Sequence, residues 1–92
     1  MKAPLTDRMA RCLIEIARDG IEFRGYRSWR SVRDSSIEFY NQTVESLGDR
    51  GLVERVGHDV ILDASNINLY GRRALAESCR RLGQPNPLEG AA

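Results

Sequence analysis

The sequence predicts a mostly helical α+β fold: a three-helix core, a small three-stranded antiparallel sheet with a short hairpin, and an additional C-terminal helix. Three observations predict it. Apolar residues recur at helical spacing in Met9, Leu13, Ile16 and Ala17, in Ile37, Tyr40, Val44 and Leu47, and in Ile67, Tyr70, Ala74, Leu75 and Leu82. Two β-rich runs, Leu52–Val56 and Asp59–Leu62, flank Gly57-His58, a tight-turn pair. The chain has 92 residues, enough for one modest core and one domain. That domain is expected over 1–83, with a flexible tail over 84–92.

Each element has its own signal. Thr6 is a good N-cap and Asp7 suits a first helical turn, so helix one runs from about Asp7 to Asp19, with Gly20 as its stop. Ile21-Glu22-Phe23-Arg24 alternates apolar and polar and reads as a short strand. The next stretch, RGYRSWRSVRD over 24–34, places an arginine at every third position. A three-residue repeat drifts about 60° per step on a helix, so the rhythm is cut in two, a strand end before Gly25 and a helix after Ser28. On that second helix Trp29 and Val32 form one buried stripe, with Arg27, Arg30 and Arg33 on the wet side. Ser35 and Glu38 fit a capping box, so helix three is expected over about 36–49. After the hairpin, Asp63–Asn66 is turn-like. The last helix then runs from Ile67 to Leu82, and Gly83, Pro85 and Pro87 end it.

Composition excludes several function classes. No apolar run approaches the roughly 20 residues of a membrane span, and the first residues lack a signal-peptide core, so a cytoplasmic chain is expected. Cys12 and Cys79 fall in apolar-periodic segments and read as reduced core thiols. With a single histidine, His58, no metal site is expected. There is no Gly-rich phosphate loop and no Gly-x-Ser-x-Gly elbow, so neither an enzyme nor a cofactor is expected. The net charge is +1, yet charge is segregated. Arg24–Arg33 and the segment holding Arg72, Arg73, Arg80 and Arg81 are basic, while 38–49 holds Glu38, Glu45 and Asp49 with no cation.

Thr43-Val44-Glu45-Ser46-Leu47-Gly48-Asp49-Arg50-Gly51-Leu52-Val53-Glu54-Arg55 resembles the run that joins the recognition helix to the first wing strand in MarR- and PadR-like bacterial regulators. Tyr70–Glu77 resembles the helix that follows the wing in such proteins. The match spans roughly Leu5 to Leu82 and implies a winged helix-turn-helix.

The resemblance further implies that helix three enters the major groove of double-stranded DNA. Asn41 and Gln42 would read adenine and Glu45 would accept from cytosine. Arg27, Arg30 and Arg33 would cross the phosphate backbone, with Arg50, Arg55 and His58 about the wing. A dimer through the last helix or helix one would match a palindromic operator. The residues also support an alternative. Glu38, Gln42, Glu45 and Asp49 share one face of helix three, a carboxylate ridge suited to a basic protein partner rather than a polyanion. By class analogy alone, phage and mobile-element inhibitors of the anti-CRISPR kind work this way. In that case Phe39 is an exposed anchor or packs under Trp29. The arginines of helix two are then a solvated face partnered with acids such as Asp34 and Glu38.

Overall fold

Helix α1 (Asp7–Arg18) begins where Thr6 Oγ1 accepts the backbone N–H of Met9 at 3.1 Å, the expected N-cap. The structure, a computed structural model, describes residues 5–56, 59–62 and 71–88. After α1 come β1 (Ile21–Gly25), β2 (Ser28–Ser31), β3 (Glu38–Tyr40), α2 (Asn41–Asp49), β4 (Val53–Val56), β5 (Asp59–Leu62) and α3 (Arg72–Leu82). Strands β1, β2 and β3 form an antiparallel sheet in that order, and β4 pairs antiparallel with β5. The α+β class is as expected, and so are α1, β1 and the β4–β5 hairpin.

The second helix is corrected. Ser28–Ser31 is strand β2, paired on both sides. The physical reason is a row of rings: Phe23 faces Trp29 across one strand pair and Trp29 faces Phe39 across the next. Such cross-strand aromatic pairs stabilise a sheet. Trp29 and Phe39 are 0 % and 1 % exposed. Period two therefore governs here, and Val32, expected in the core, is 55 % exposed.

Helix three is corrected at its start, which is Asn41 rather than Ser36. Residue Glu38 lies on β3, off the helix. The capping box does not form. Asp34 instead accepts the backbone N–H of Ser36 at 3.0 Å and its hydroxyl at 2.6 Å, a local turn that feeds β3. Tyr40 therefore points outward, 68 % exposed, and Phe39 inward. The three-stranded sheet is thus β1-β2-β3, and not β1 with the hairpin.

Two glycines do what only glycine does at low cost. Gly20 (φ 89°) leaves α1 and donates to Glu15 O at 2.9 Å. Gly51 (φ 72°) turns the chain from α2 into β4 and donates to Gly48 O at 2.9 Å.

The core sits around α1, which packs on α3 and α2 with β5 alongside. Leu13 and Ile14 of α1, Trp29, Phe39, Leu47 of α2 and Leu75 of α3 are its largest fully buried apolar members. Neither Cys12 nor Cys79 is in a disulfide, and both are buried, where the periodicity put them. Burial, with the nearby Glu15 charge, pushes the Cys12 thiol up to about 12, so the reactive thiolate is suppressed. Asp7 and Arg81 join α1 to α3 at 2.7 Å. Leu88, beyond α3, packs against the core cluster. The expected turn over 63–66, the start of the last helix, His58 and residues 89–92 lie outside the described residues. No helix among the described residues is long and apolar enough to cross a membrane.

Candidate functional site

The arginine series comes apart in three dimensions. Arg27 sits in the two-residue turn between β1 and β2. Arg30 lies on the outer face of the sheet, in register with Glu22 on one side and Glu38 on the other. Side chains directly opposite in an antiparallel pair are about 5 Å apart at Cβ, so Arg30 has a glutamate as its neighbour on each adjoining strand. Arg33, beyond β2, stays exposed while its guanidinium reaches a buried carboxylate, so the three arginines do not share one helix face.

What draws Arg33 in is Glu15, a residue that sequence reasoning did not single out. Its carboxylate is fully buried. Arg33 donates to it from Nε and Nη2, both at 2.8 Å. Ser31 Oγ donates at 2.9 Å, and Arg11 lies at 3.3 Å. Burial alone would raise the Glu15 carboxyl, but the hydrogen bonds from Arg33 and Ser31 and the charges of Arg33 and Arg11 hold it below the usual range. The node ties α1 to the strand that replaced the expected helix. The signal in the sequence was that Ala10, Cys12 and Ile14 fall outside the α1 stripe: a helix apolar nearly all round is enclosed. A charge on its far side must then have a partner.

A second chain of contacts links the sheet to α2. Trp29 Nε1 donates to Asn41 Oδ1 at 3.0 Å, and Asn41 Nδ2 donates to Glu45 Oε1 at 2.9 Å. Both ends of the Asn41 carboxamide, expected to read a base, thus have a partner within the chain. Arg55, on β4, stands over the rings of Trp29 and Phe23, at 5.3 and 6.0 Å from their centroids. Phe39, buried on the inner face, is no exposed anchor; it packs beside Trp29.

Between α2 and the β4–β5 hairpin runs a groove of about 320 Å³. Its floor is Val44, Val53 and Val60, all buried. Glu45 and Asp49 stand exposed along the helix lip, Gly48 leaves bare backbone between them, and Arg55 closes the hairpin side. Gln42 is also exposed on α2. The ridge expected from the helix wheel therefore survives as Gln42, Glu45 and Asp49, without Glu38. Arg50 is the half-buried C-cap of α2, its N–H donating to Ser46 O at 3.2 Å. The groove itself was not legible, because Val53 and Val60 become its floor only when the hairpin folds beside α2.

Set against protein-family models, curated proteins and solved structures, the chain matches none of them. Fold and site define it in chemical terms: a small α+β protein with an acid-lipped, apolar groove. Among the described residues no group of three or more His, Cys, Asp or Glu side chains is placed to hold a metal ion.

Proposed function

We propose that the chain is a non-enzymatic protein-interaction module on a winged-helix-like frame, with strand β2 standing where the first helix of a helix-turn-helix would be. Its groove between α2 and the β4–β5 hairpin takes a cationic, amphipathic segment of a partner protein. Apolar side chains of that segment seat on Val44, Val53 and Val60, and its lysines or arginines meet Glu45 and Asp49.

The observation that carries this reading is the lip. Glu45 and Asp49 flank an apolar floor, and no cation stands on α2. Against duplex DNA, the same lip would approach a charge density of about one per 1.7 Å of axis. The arginines expected to offset it are dispersed: Arg33 is held by Glu15, Arg55 lies over two rings, and Arg30 sits between two glutamates.

Fluorescence anisotropy with a labelled helical peptide, leucines at i, i+4 and i+7 and lysines between, tests the proposal. Binding is expected, and Glu45→Lys is expected to weaken it on the order of tenfold, about 1.4 kcal/mol. A random-sequence duplex is expected to bind more weakly. Tighter, salt-sensitive duplex binding that Glu45→Lys strengthens would return the chain to the DNA-regulator reading. Peptide binding that ignores Glu45→Lys would overturn the groove.

A further inference from the structure

The hairpin between β1 and β2 turns in two residues, since Gly25 pairs with Ser28. Those two residues are Tyr26 and Arg27, with φ of 50° and 59°. A two-residue hairpin turn of this kind asks for positive φ at both positions, which asparagine and glycine adopt most readily. A tyrosine and an arginine there meet the steric penalty of the left-handed region.

The Arg27 carbonyl accepts the Asn41 N–H at 2.8 Å, but among the described residues no side-chain hydrogen bond or ion pair holds either turn residue. Tyr26 is 102 % exposed, and Arg27 is exposed with no ion pair among the described residues. The neighbourhood repeats the chemistry. Tyr40 stands exposed on β3, paired with Ser28 next to the turn. Arg24, two residues before Tyr26, is exposed and meets Glu22 at 3.3 Å in an exposed pair that water screens. Strain kept at an exposed aromatic is a pointer from geometry to function.

We propose that this end of the sheet, Arg24, Tyr26, Arg27 and Tyr40, binds single-stranded nucleic acid. The phenol rings stack on unpaired bases and the guanidinium groups meet phosphates. A single strand is favoured over a duplex because a protruding ring needs a base face that pairing hides. It is favoured over a protein because Tyr26, flanked in sequence by Arg24 and Arg27, stands fully exposed rather than in the well-packed surround of an interface anchor. The inference does not rest on the groove, which lies on other residues.

The test uses the whole chain and a fluorescein-labelled oligothymidine of about 20 nucleotides. The wild type is expected to bind at about 50 mM salt, with a slope of log affinity against log salt near −1.4 for two phosphate contacts. Tyr26→Asn/Arg27→Gly installs a favoured turn. Its melting temperature is expected to rise by several degrees while its affinity falls at least about tenfold. Tyr40→Ser, on β3 and outside the two turn residues, is expected to weaken binding several-fold with the fold unchanged. A merely structural turn would not separate stability and binding in opposite directions. The proposal is overturned if the oligothymidine does not bind, if the double variant binds it as well as the wild type, or if a duplex of equal length binds as tightly. It is also overturned if Tyr26 serves self-association, seen by light scattering as a mass that halves in the double variant.

Discussion

Glu15→Gln is expected to remove about 3 kcal/mol or more of folding stability at neutral pH. Urea denaturation followed by circular dichroism checks this as a lower midpoint at unchanged slope. For a domain of this size the melting temperature falls by more than about 10 °C. The wild-type carboxylate accepts from Arg33 at 2.8 Å twice and from Ser31 at 2.9 Å. An amide keeps one acceptor but turns its NH₂ toward a guanidinium that has only donors. The same residue shapes the acid limb. Its folded carboxyl lies below the ordinary range, so its contribution is complete above the unfolded value near about 4.3 and disappears as pH falls through the folded one. Glu15→Gln is expected to flatten that limb. The slope that remains belongs in part to Asp34, which the Ser36 hydroxyl and N–H hold down in the same direction. Replacing both partners, Glu15→Leu with Arg33→Met, is expected to recover much of the loss, since a buried pair exchanged for apolar volume is often neutral.

Trp29→Ala is expected to cost about 4 kcal/mol, enough to unfold a large share of a marginal domain. Trp29 is 0 % exposed and is the central ring of the row Phe23, Trp29 and Phe39. Its ring edge meets Phe23 at 5.2 Å between centroids, and Arg55 lies over it at 5.3 Å. Truncation leaves a cavity where three strands meet and strips the platform from Arg55. Trp29→Phe is expected to cost less, about 1–2 kcal/mol, because it keeps a ring but leaves Asn41 Oδ1 without its donor. Thermal melts of the two variants, ranked Ala below Phe below wild type, check both values.

Local pattern carried α1, β1 and the β4–β5 hairpin, where caps and periodicity agree with the final packing. It failed between Gly25 and Tyr40. There both periods fit: Ile37, Tyr40, Val44 and Leu47 keep helical spacing, and Ile37 and Phe39 alternate. What decides is non-local. Trp29 is ten positions from Phe39 and Ser31 sixteen from Glu15, and these contacts make the segment a sheet. The candidate site divides along the same line. Gln42, Glu45 and Asp49 were legible because α2 is a helix on either reading. The contacts of Asn41 and Arg33 were not legible, because their partners, Trp29 and Glu15, are brought to them only by the tertiary structure.

The run from Trp29 through Asn41 to Glu45 also gives the molecule an optical gauge. The chain has one tryptophan, and its indole N–H is two hydrogen bonds from the carboxylate at the groove's lip. A cation that takes Glu45 competes with the Asn41 amide for that oxygen, and the indole feels the change through Oδ1. Emission of the native protein, with no label attached, therefore reports whether the lip is occupied.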